Sequence, residues 1–379
     1  MPQVIVNGIP LLSTRSGVGN YVYHNFKNVL ALENDWRFFF YYGAKWNREI
    51  KEVVQEPYVN VRKVLRNVGS VYPIYRWSID RFFQVCQKFW KFNLYHETNY
   101  ILMPFDGPIV ATIYDLSFLL YPETHPVERV RRMERYFYPR LNQVSHFIAI
   151  SEAAKQDIVQ HLGLSPENIT VTPLAVEGTM APMSSESADS ILSKYGLKYG
   201  HYILYVGTLE PRKNIFNLIQ AYAGLSSSLK NKYPLVLGGD RGWLMENLER
   251  QMDRLGIRSN TLVTGYLPQE NLPAFYSGAS VFVYPSLYEG FGLPVLEAMA
   301  CGTPVVTSNV SSIAEIVGEG GIQVDPNDVK SLRNAIERVI EDTHLKENLR
   351  TLGFKRAKLF SWENCARDTL DVYSRVLKG

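Results

Sequence analysis

The run Tyr288-Glu289-Gly290-Phe291-Gly292-Leu293-Pro294-Val295-Leu296-Glu297 sets two carboxylates around a glycine turn, just after the apolar stretch Val281–Tyr284. Gly290 and Gly292 permit a sharp turn and close backbone approach to a ligand. Pro294 suits the first turn of a helix, whose N-terminal amides are free to bind an anion such as phosphate. Glu297 falls about one turn into that helix and Glu289 in the loop before it. Both could accept hydrogen bonds from sugar hydroxyls beside a bound phosphate. By spacing alone, the same residues also suit a plain strand–turn–helix carrying two solvated glutamates.

Gly207-Thr208-Leu209-Glu210-Pro211-Arg212-Lys213-Asn214 follows the apolar run Tyr202–Val206 and opens a helix predicted at Ile215–Tyr222. Breaking a glycosyl–phosphate bond leaves a diphosphate with growing negative charge. Cations fixed at that charge lower the barrier, most strongly where water is excluded. Arg212 offers a fork matched to phosphate oxygens, and Lys213 a point charge, so the pair could do the work of a metal. The other reading is an exposed basic pair at a helix start, which is electrostatically unfavourable because helix N-termini attract acids.

Three weaker groups lie in the first half. Ser16-Gly17-Val18-Gly19-Asn20-Tyr21 is a glycine turn leading into a helix. Position 22 is Val where a dinucleotide fingerprint needs a third glycine, so phosphate contact or a simple turn remain the alternatives. Tyr114-Asp115 ends a predicted strand, and Asp115 is a candidate for sugar or acceptor binding or a turn aspartate. His96-Glu97, after another strand, and His125, in the loop Tyr121–Pro126, are further candidates for the acceptor side. No Asp-x-Asp occurs, and the three cysteines, Cys86, Cys301 and Cys365, have neither zinc nor disulfide spacing. No metal is expected.

These groups need elements to hold them. Val4–Val6, Phe38–Tyr42, Leu94–His96, Ile109–Tyr114, Phe147–Ile150 and Ile169–Thr172 read as one series of strands. Tyr202–Val206, Leu235–Leu237, Leu262–Val263, Val281–Tyr284, Val305–Thr307 and Ile322–Val324 read as a second. Helical patterns alternate with both, as in Ser151–His161 with Ser151 as its N-cap. Such alternation predicts an α/β fold of two Rossmann-like parallel-sheet domains facing a central cleft. The boundaries are 1–175 for the first domain, 176–200 for a linker, 201–358 for the second and 359–379 for a C-terminal helix. With 379 residues and 46% hydrophobic content the chain suits a two-domain globular protein, and a formal charge of +3 gives no case for nucleic-acid binding.

The N-terminus reads as a first strand and no apolar run is long enough to span a bilayer, so a cytoplasmic location is expected. Membrane contact would be peripheral, at the inner face of the cytoplasmic membrane. The segment Tyr72–Phe92 mixes Arg76, Arg81, Lys88 and Lys91 with Trp77, Phe82, Phe83, Phe89 and Trp90, and Val127–Leu141 adds five arginines. A helix on an anionic membrane surface and an ordinary core-packed helix with basic outer positions both fit.

The run EGFGLPVLEAMACGTPVV resembles the Glu-x7-Glu region of the family-4 retaining glycosyltransferases, which have the GT-B fold. YVGTLEPRKNIFNLIQAY is similar to that family's phosphate-binding segment and VTGYLPQENLPAFYSGASVFVYPS to its nucleotide-binding stretch. STRSGVGNYV, TIYDLSFLLYPETHP and IAISEAAKQDI look like the family too, most of all the branch with mannosyltransferases of bacterial surface polysaccharides. The resemblance implies that Glu297 binds donor ribose, that Glu289 contacts the transferred sugar, and that amides of Phe291, Gly292 and Leu293 hold sugar and phosphate. It places Gly17, Gly19, Gly207, Thr208 and Tyr266 in the donor site and implies catalytic parts for Glu289, Arg212, Lys213 and Asp115. Many relatives carry His-Asp where this chain has Tyr114-Asp115, so no histidine role carries over.

The reaction so implied is metal-independent front-face transfer with retention. The donor is a nucleotide sugar, with GDP-mannose the leading candidate, and the acceptor is a glycan or lipid-linked glycan. No cofactor beyond this co-substrate is implied. Relatives return the last helix, here Phe360–Leu377, to the N-terminal domain. The alternatives are a non-catalytic nucleotide-sugar-binding scaffold of a polysaccharide assembly complex, or another GT-B enzyme such as a sugar-nucleotide epimerase or a glycan phosphorylase.

Overall fold

The computed structural model describes residues 1–12, 17–43, 45–50, 72–240, 242–243 and 247–378, without the side chains of Cys86 and Lys88. Ser16, at the head of the first glycine turn, lies outside the described residues. The chain divides into two compact units: Met1–Leu119, Val127–Leu174 and Trp362–Gly379 form one, and Leu120–Pro126 with Ala175–Ser361 form the other.

In the first unit, β1 (Gln3–Asn7), β2 (Arg37–Tyr41), β3 (Trp46–Asn47), β4 (Leu94–Glu97), β5 (Ile109–Ile113), β6 (His146–Ala149) and β7 (Ile169–Val171) make one sheet in the order β3-β2-β1-β4-β5-β6-β7. Every pairing is parallel except β2 with β3. Val4, Ile5 and Val6 of β1 are wholly buried, as expected of strands covered on both faces. The two-residue antiparallel β3 is an addition to the sequence reading, too short to show a period. Ser151 caps the helix Glu152–Leu162 by accepting from the Ala154 amide at 3.0 Å. The segment Val127–Leu141 is not one helix. It runs as Val127–Tyr136 and continues as a tighter helix over Tyr138–Gln143, where Pro139 has no amide to continue the ladder.

The final helix, Trp362–Lys378, folds with this unit against the helix Gly17–Ala31. Asn25 Nδ2 donates to Thr369 Oγ1 at 3.1 Å, and the His24 and Trp362 rings stack with centroids 5.3 Å apart.

The second unit holds β8 (Ile203–Val206), β9 (Leu235–Gly238), β10 (Thr261–Gly265), β11 (Val281–Tyr284), β12 (Val305–Ser308) and β13 (Gly321–Val324), all parallel, in the order β10-β9-β8-β11-β12-β13. Ile203 of β8 pairs with Leu235 on one side and Val281 on the other. The chain order therefore reverses between β8 and β11, and a crevice for ligand opens beyond their carboxyl ends. The stretch 176–200 is not a bare linker. It carries the helix Ser185–Leu192, capped by Ser184, with Ala188 and Leu192 buried. Leu192 Cδ1 packs so close to Gly278 that an added Cβ there would lie 2.6 Å from it. A short helix with two buried positions shows too little periodicity to stand out in a polar sequence.

Candidate active site

Glycines shape the carboxyl edge of the second sheet. The Gly207 amide donates to Gly238 O at 2.8 Å, and the Gly239 amide to Gly265 O at 2.8 Å. Gly207 and Gly239 have φ of 153° and 137°, in the region that disfavours side chains. A Cβ at Gly239 would lie 2.1 Å from the Gly207 carbonyl, so β8 and β9 can approach here only without one. Just beyond, Thr208 and Tyr266 are exposed, Tyr266 to 54%. An aromatic ring so placed offers a flat face to a base.

After Gly207 the chain makes a tight turn, Pro211–Lys213, closed by Asn214 with φ 59°. Asn tolerates this left-handed conformation. Its Nδ2 donates to Pro285 O at 3.0 Å and Pro326 O at 2.7 Å, while the Leu287 amide donates to Arg212 O at 2.9 Å. The loops that follow β8 and β11 are thus laced together.

This lacing assembles a buried charge cluster. Arg212 Nη2 donates to Glu210 Oε1 at 2.7 Å, and Nη1 to Tyr288 O at 2.6 Å and Glu289 Oε2 at 3.0 Å. Lys213 Nζ donates to Glu289 Oε1 at 2.5 Å and to Tyr284 OH at 2.8 Å. The Tyr284 ring stacks on Tyr205 with centroids 5.7 Å apart. Glu289 is also fixed through its backbone: its amide donates to Ser311 Oγ at 3.0 Å, and its carbonyl accepts from Ser312 Oγ at 2.8 Å. Burial alone would push the Glu289 carboxyl up. Arg212 and Lys213 outweigh it and hold the pKa at about 2. Burial lowers the Lys213 pKa, and Glu289 opposes that fall.

Gly292, at φ 100°, caps the helix Leu293–Ala300, with Pro294 in its first turn. The first amides of a helix have no intrahelical acceptor and form an anion site. Half-buried Glu297 lies one turn on and accepts from Tyr276 OH at 2.8 Å. Burial raises its pKa to about 7, with Glu177 adding to the rise and the Tyr276 hydroxyl opposing it.

The structure therefore places Gly207, Thr208, Arg212, Lys213, Tyr266, Glu289, Phe291, Gly292, Leu293 and Glu297 together along one sheet edge of the second unit. Gly17, Gly19 and Asp115 belong to the first unit. Gly17 is exposed and Gly19 buried in the first turn of their helix. Asp115 Oδ1 accepts from the amide and hydroxyl of Ser117 at 3.0 and 2.8 Å, which makes it a turn-former whatever else it does.

His96 and Glu97 do not line a surface. His96 is wholly buried between Tyr373 OH (2.6 Å) and Thr112 Oγ1 (2.8 Å), and burial lowers its pKa to about 3. Glu97 is wholly buried as well, accepting from Asn7 Nδ2 and the Asn99 amide, both at 2.6 Å, and from Tyr95 OH. His125 packs its ring 5.8 Å from that of Trp243, inside the second unit. Sequence reasoning missed the parts of Glu210, Tyr276 and Tyr284. Only Glu210, two residues before Arg212, carried a signal that could have been read. Among the described residues, no group of three or more His, Cys, Asp or Glu could hold a metal ion.

A doubly wound sheet with a glycine-lined edge, a paired-cation cluster and a glycine-capped helix defines a protein that handles phosphorylated ligands. Comparison with known proteins narrows the class. Residues 191–356 match the family model for glycosyl transferases group 1, and residues 15–177 that for glycosyltransferase family 4. Over 378 residues the chain is 35% identical to O-antigen chain mannosyltransferase B of Escherichia coli, covering 98% of this chain and 99% of that one. Sucrose-phosphate synthase of Thermosynechococcus elongatus shares the fold, with TM-score 0.78, 22% identity and coverage of 100% of this chain and 99% of the other. So does WaaG, a glycosyltransferase involved in lipopolysaccharide biosynthesis, with TM-score 0.73, 16% identity and coverage of 98% and 99%. The chain belongs to glycosyltransferase family 4 and is a glycosyltransferase of the GT-B fold.

Proposed function

We propose that this enzyme transfers mannose from GDP-mannose to a glycan or lipid-linked glycan in surface-polysaccharide synthesis, retaining the anomeric configuration and using no metal. The observation that carries the reading is the Glu289 carboxylate held between Arg212 and Lys213 at the switch point of the second sheet. The full-length similarity to the O-antigen mannosyltransferase supports the sugar and the setting.

In this reading the donor's diphosphate takes up the charge of Lys213 and the amides that open the helix at Leu293. As the glycosyl bond stretches, these groups stabilise the charge gathering on the leaving phosphate. Glu289, relieved of part of its ion pairing, turns to the hydroxyls of the transferred sugar. Glu297 accepts from the ribose, Tyr266 stacks on the base, and Thr208 completes the donor contacts within the second unit. The acceptor hydroxyl enters on the face the diphosphate leaves, and the leaving phosphate oxygen takes its proton. A thermal-shift panel of GDP-, UDP-, ADP- and dTDP-sugars tests the donor, because a ligand of the folded state raises the melting temperature by mass action. A shift with GDP-mannose, unchanged by EDTA and lost in Glu297→Ala, is expected, with an α-linked product by NMR. No shift with any nucleotide sugar would refute the donor-site assignment.

The setting includes an anionic membrane surface, at the inner face of the cytoplasmic membrane. In the helix Tyr72–Phe89, Phe83 is buried and Arg76 turns inward to the Ile101 carbonyl at 3.2 Å and Asp80 at 2.7 Å. Ile74, Trp77, Val85 and Phe89 are half or more exposed. The arginine-rich helix Val127–Tyr136 adjoins it, Arg132 lying over the Tyr72 ring at 5.3 Å. Exposed apolar side chains beside basic ones suit binding in the plane of lipid headgroups. Among the described residues, no helix is long and apolar enough to cross a membrane.

A further inference from the structure

We infer that Glu210 is a positioning residue for the transfer reaction: it holds one arm of Arg212, so that Glu289 stays divided between Arg212 and Lys213. The inference rests on the donor-site reading above and assigns a residue which that reading leaves without a role.

Glu210 is 3% exposed, and its carboxylate lies 2.7 Å from Arg212 Nη2. A buried carboxylate needs a partner, and here the partner is a guanidinium that also reaches Glu289. Two consequences follow from the geometry. First, Nη2 is occupied, so Arg212 meets Glu289 through Nη1 alone, at Oε2, and leaves Oε1 to Lys213 and the Tyr284 hydroxyl. Were Nη2 released, the fork could close on Glu289 with both arms, the stronger arrangement, and draw the carboxylate off the sugar. Second, Glu210 and Glu289 together balance Arg212 and Lys213. Removing one carboxylate leaves the cluster with a net positive charge, which attracts a diphosphate more strongly.

The two effects have opposite signs. Losing the Glu210 charge should tighten the grip on the nucleoside diphosphate and slow turnover. A residue that merely supports the fold would weaken both. The test compares wild type, Glu210→Gln and Glu210→Asp by calorimetric titration with GDP and UDP, by GDP release from GDP-mannose, and by thermal melting. Glu210→Gln is expected to bind the preferred diphosphate about 3–10-fold more tightly, with kcat lowered about 10-fold or more. Glu210→Asp keeps the charge but is one methylene shorter. It should hold diphosphate affinity within about 2-fold of wild type while kcat stays reduced.

Weakened or unchanged diphosphate binding in Glu210→Gln, or unaltered kcat, would overturn the assignment. If Glu210→Gln does not fold, Glu210→Asp decides alone, and loss of binding and turnover together in it would overturn the assignment. A wild type that binds neither GDP nor UDP would instead sink the donor-site reading itself, and this inference with it.

Discussion

Lys213 Nζ and Glu289 Oε1 lie 2.5 Å apart with both side chains largely buried, and Arg212 Nη1 meets the other oxygen of the same carboxylate at 3.0 Å. One carboxylate thus neutralises two neighbouring cations. Glu289→Gln removes the charge that both cations share and leaves them buried with less compensation. The expected stability loss is about 3 kcal/mol, read from denaturant unfolding. Turnover should fall about 100-fold or more while GDP affinity rises about 3–10-fold, because the cations remain with less opposing charge. Loss of GDP binding in the variant would mean that the cations need Glu289 to hold them where they meet the diphosphate.

The same pairing sets an acid limit. Glu289 has its pKa held at about 2, below its ordinary value of 4.5. A carboxylate depressed on folding adds stability above its unfolded pKa and loses it as pH falls toward the folded one. Stability from this pair should therefore be full at pH 6 and decline from about pH 4.5 toward 2. Comparing unfolding free energies of wild type and Glu289→Gln across that window checks it, since the difference between the two should shrink as pH drops. A constant difference would show that the pair's ionisation does not govern it.

Glu297 works with the opposite sign. Its pKa is raised to about 7 by burial, with Glu177 adding to the rise. A carboxyl raised on folding adds stability below its unfolded pKa, near 4.5, and loses it as pH climbs through the folded one. Ribose hydroxyls need the ionised form as acceptor, so donor binding should strengthen from pH 6 to 8 and release a proton in the lower part of that range. Calorimetry of GDP in buffers of different ionisation enthalpy measures the release. Glu297→Gln should bind about 10-fold more weakly at pH 8 and without pH dependence, and a slope unaltered by the substitution would assign the proton elsewhere.

The runs Tyr202–Val206 and Val281–Tyr284 announced strands, and Pro294 after Gly292 announced a helix start, because strand period and first-turn chemistry are local properties. The burial of Glu289 was not local. It follows from β8 and β11 being neighbours, which brings residues 77 positions apart, Arg212 and Glu289, within hydrogen-bonding distance. His96 misled for the same reason: it ends a strand, where ligands bind, yet its Nδ1 is covered by Tyr373, 277 residues away on the last helix. Glu210 was visible in its motif but silent, since nothing in the spacing says which way an acidic neighbour of an arginine turns.

The glycine floor gives a sharper test of the frame than any side chain. A Cβ on Gly239 would sit 2.1 Å from the carbonyl oxygen of Gly207, a clash with backbone that no rotamer relieves. Gly239→Ala should cost about 2–3 kcal/mol or more and abolish donor binding, because β8 and β9 must part at the edge to which the proposed function assigns the diphosphate. Gly256→Ala is the control. That glycine also has a positive φ, 63°, but nothing lies within 4 Å of its added Cβ. It should cost about 1 kcal/mol and leave binding intact. Equal effects from the two substitutions would point to backbone conformation alone and not to the close approach of β8 and β9.

The exposed helix face separates membrane attachment from chemistry. Trp77 and Phe89 are 62% and 81% exposed on the helix Tyr72–Phe89, so replacing them with Glu disturbs little packing beyond the Arg81 guanidinium 6.0 Å from the Trp77 ring. Full burial of such a ring in an interface contributes about 1.5–3 kcal/mol, and two of them with neighbouring arginines suffice for reversible binding to an anionic bilayer. The wild type should sediment with vesicles containing phosphatidylglycerol and be released by high salt. Trp77→Glu/Phe89→Glu should stay in the supernatant with an unchanged melting temperature and unchanged GDP affinity. Sedimentation of the double variant to the wild-type extent would return this face to the ordinary surface of a globular protein.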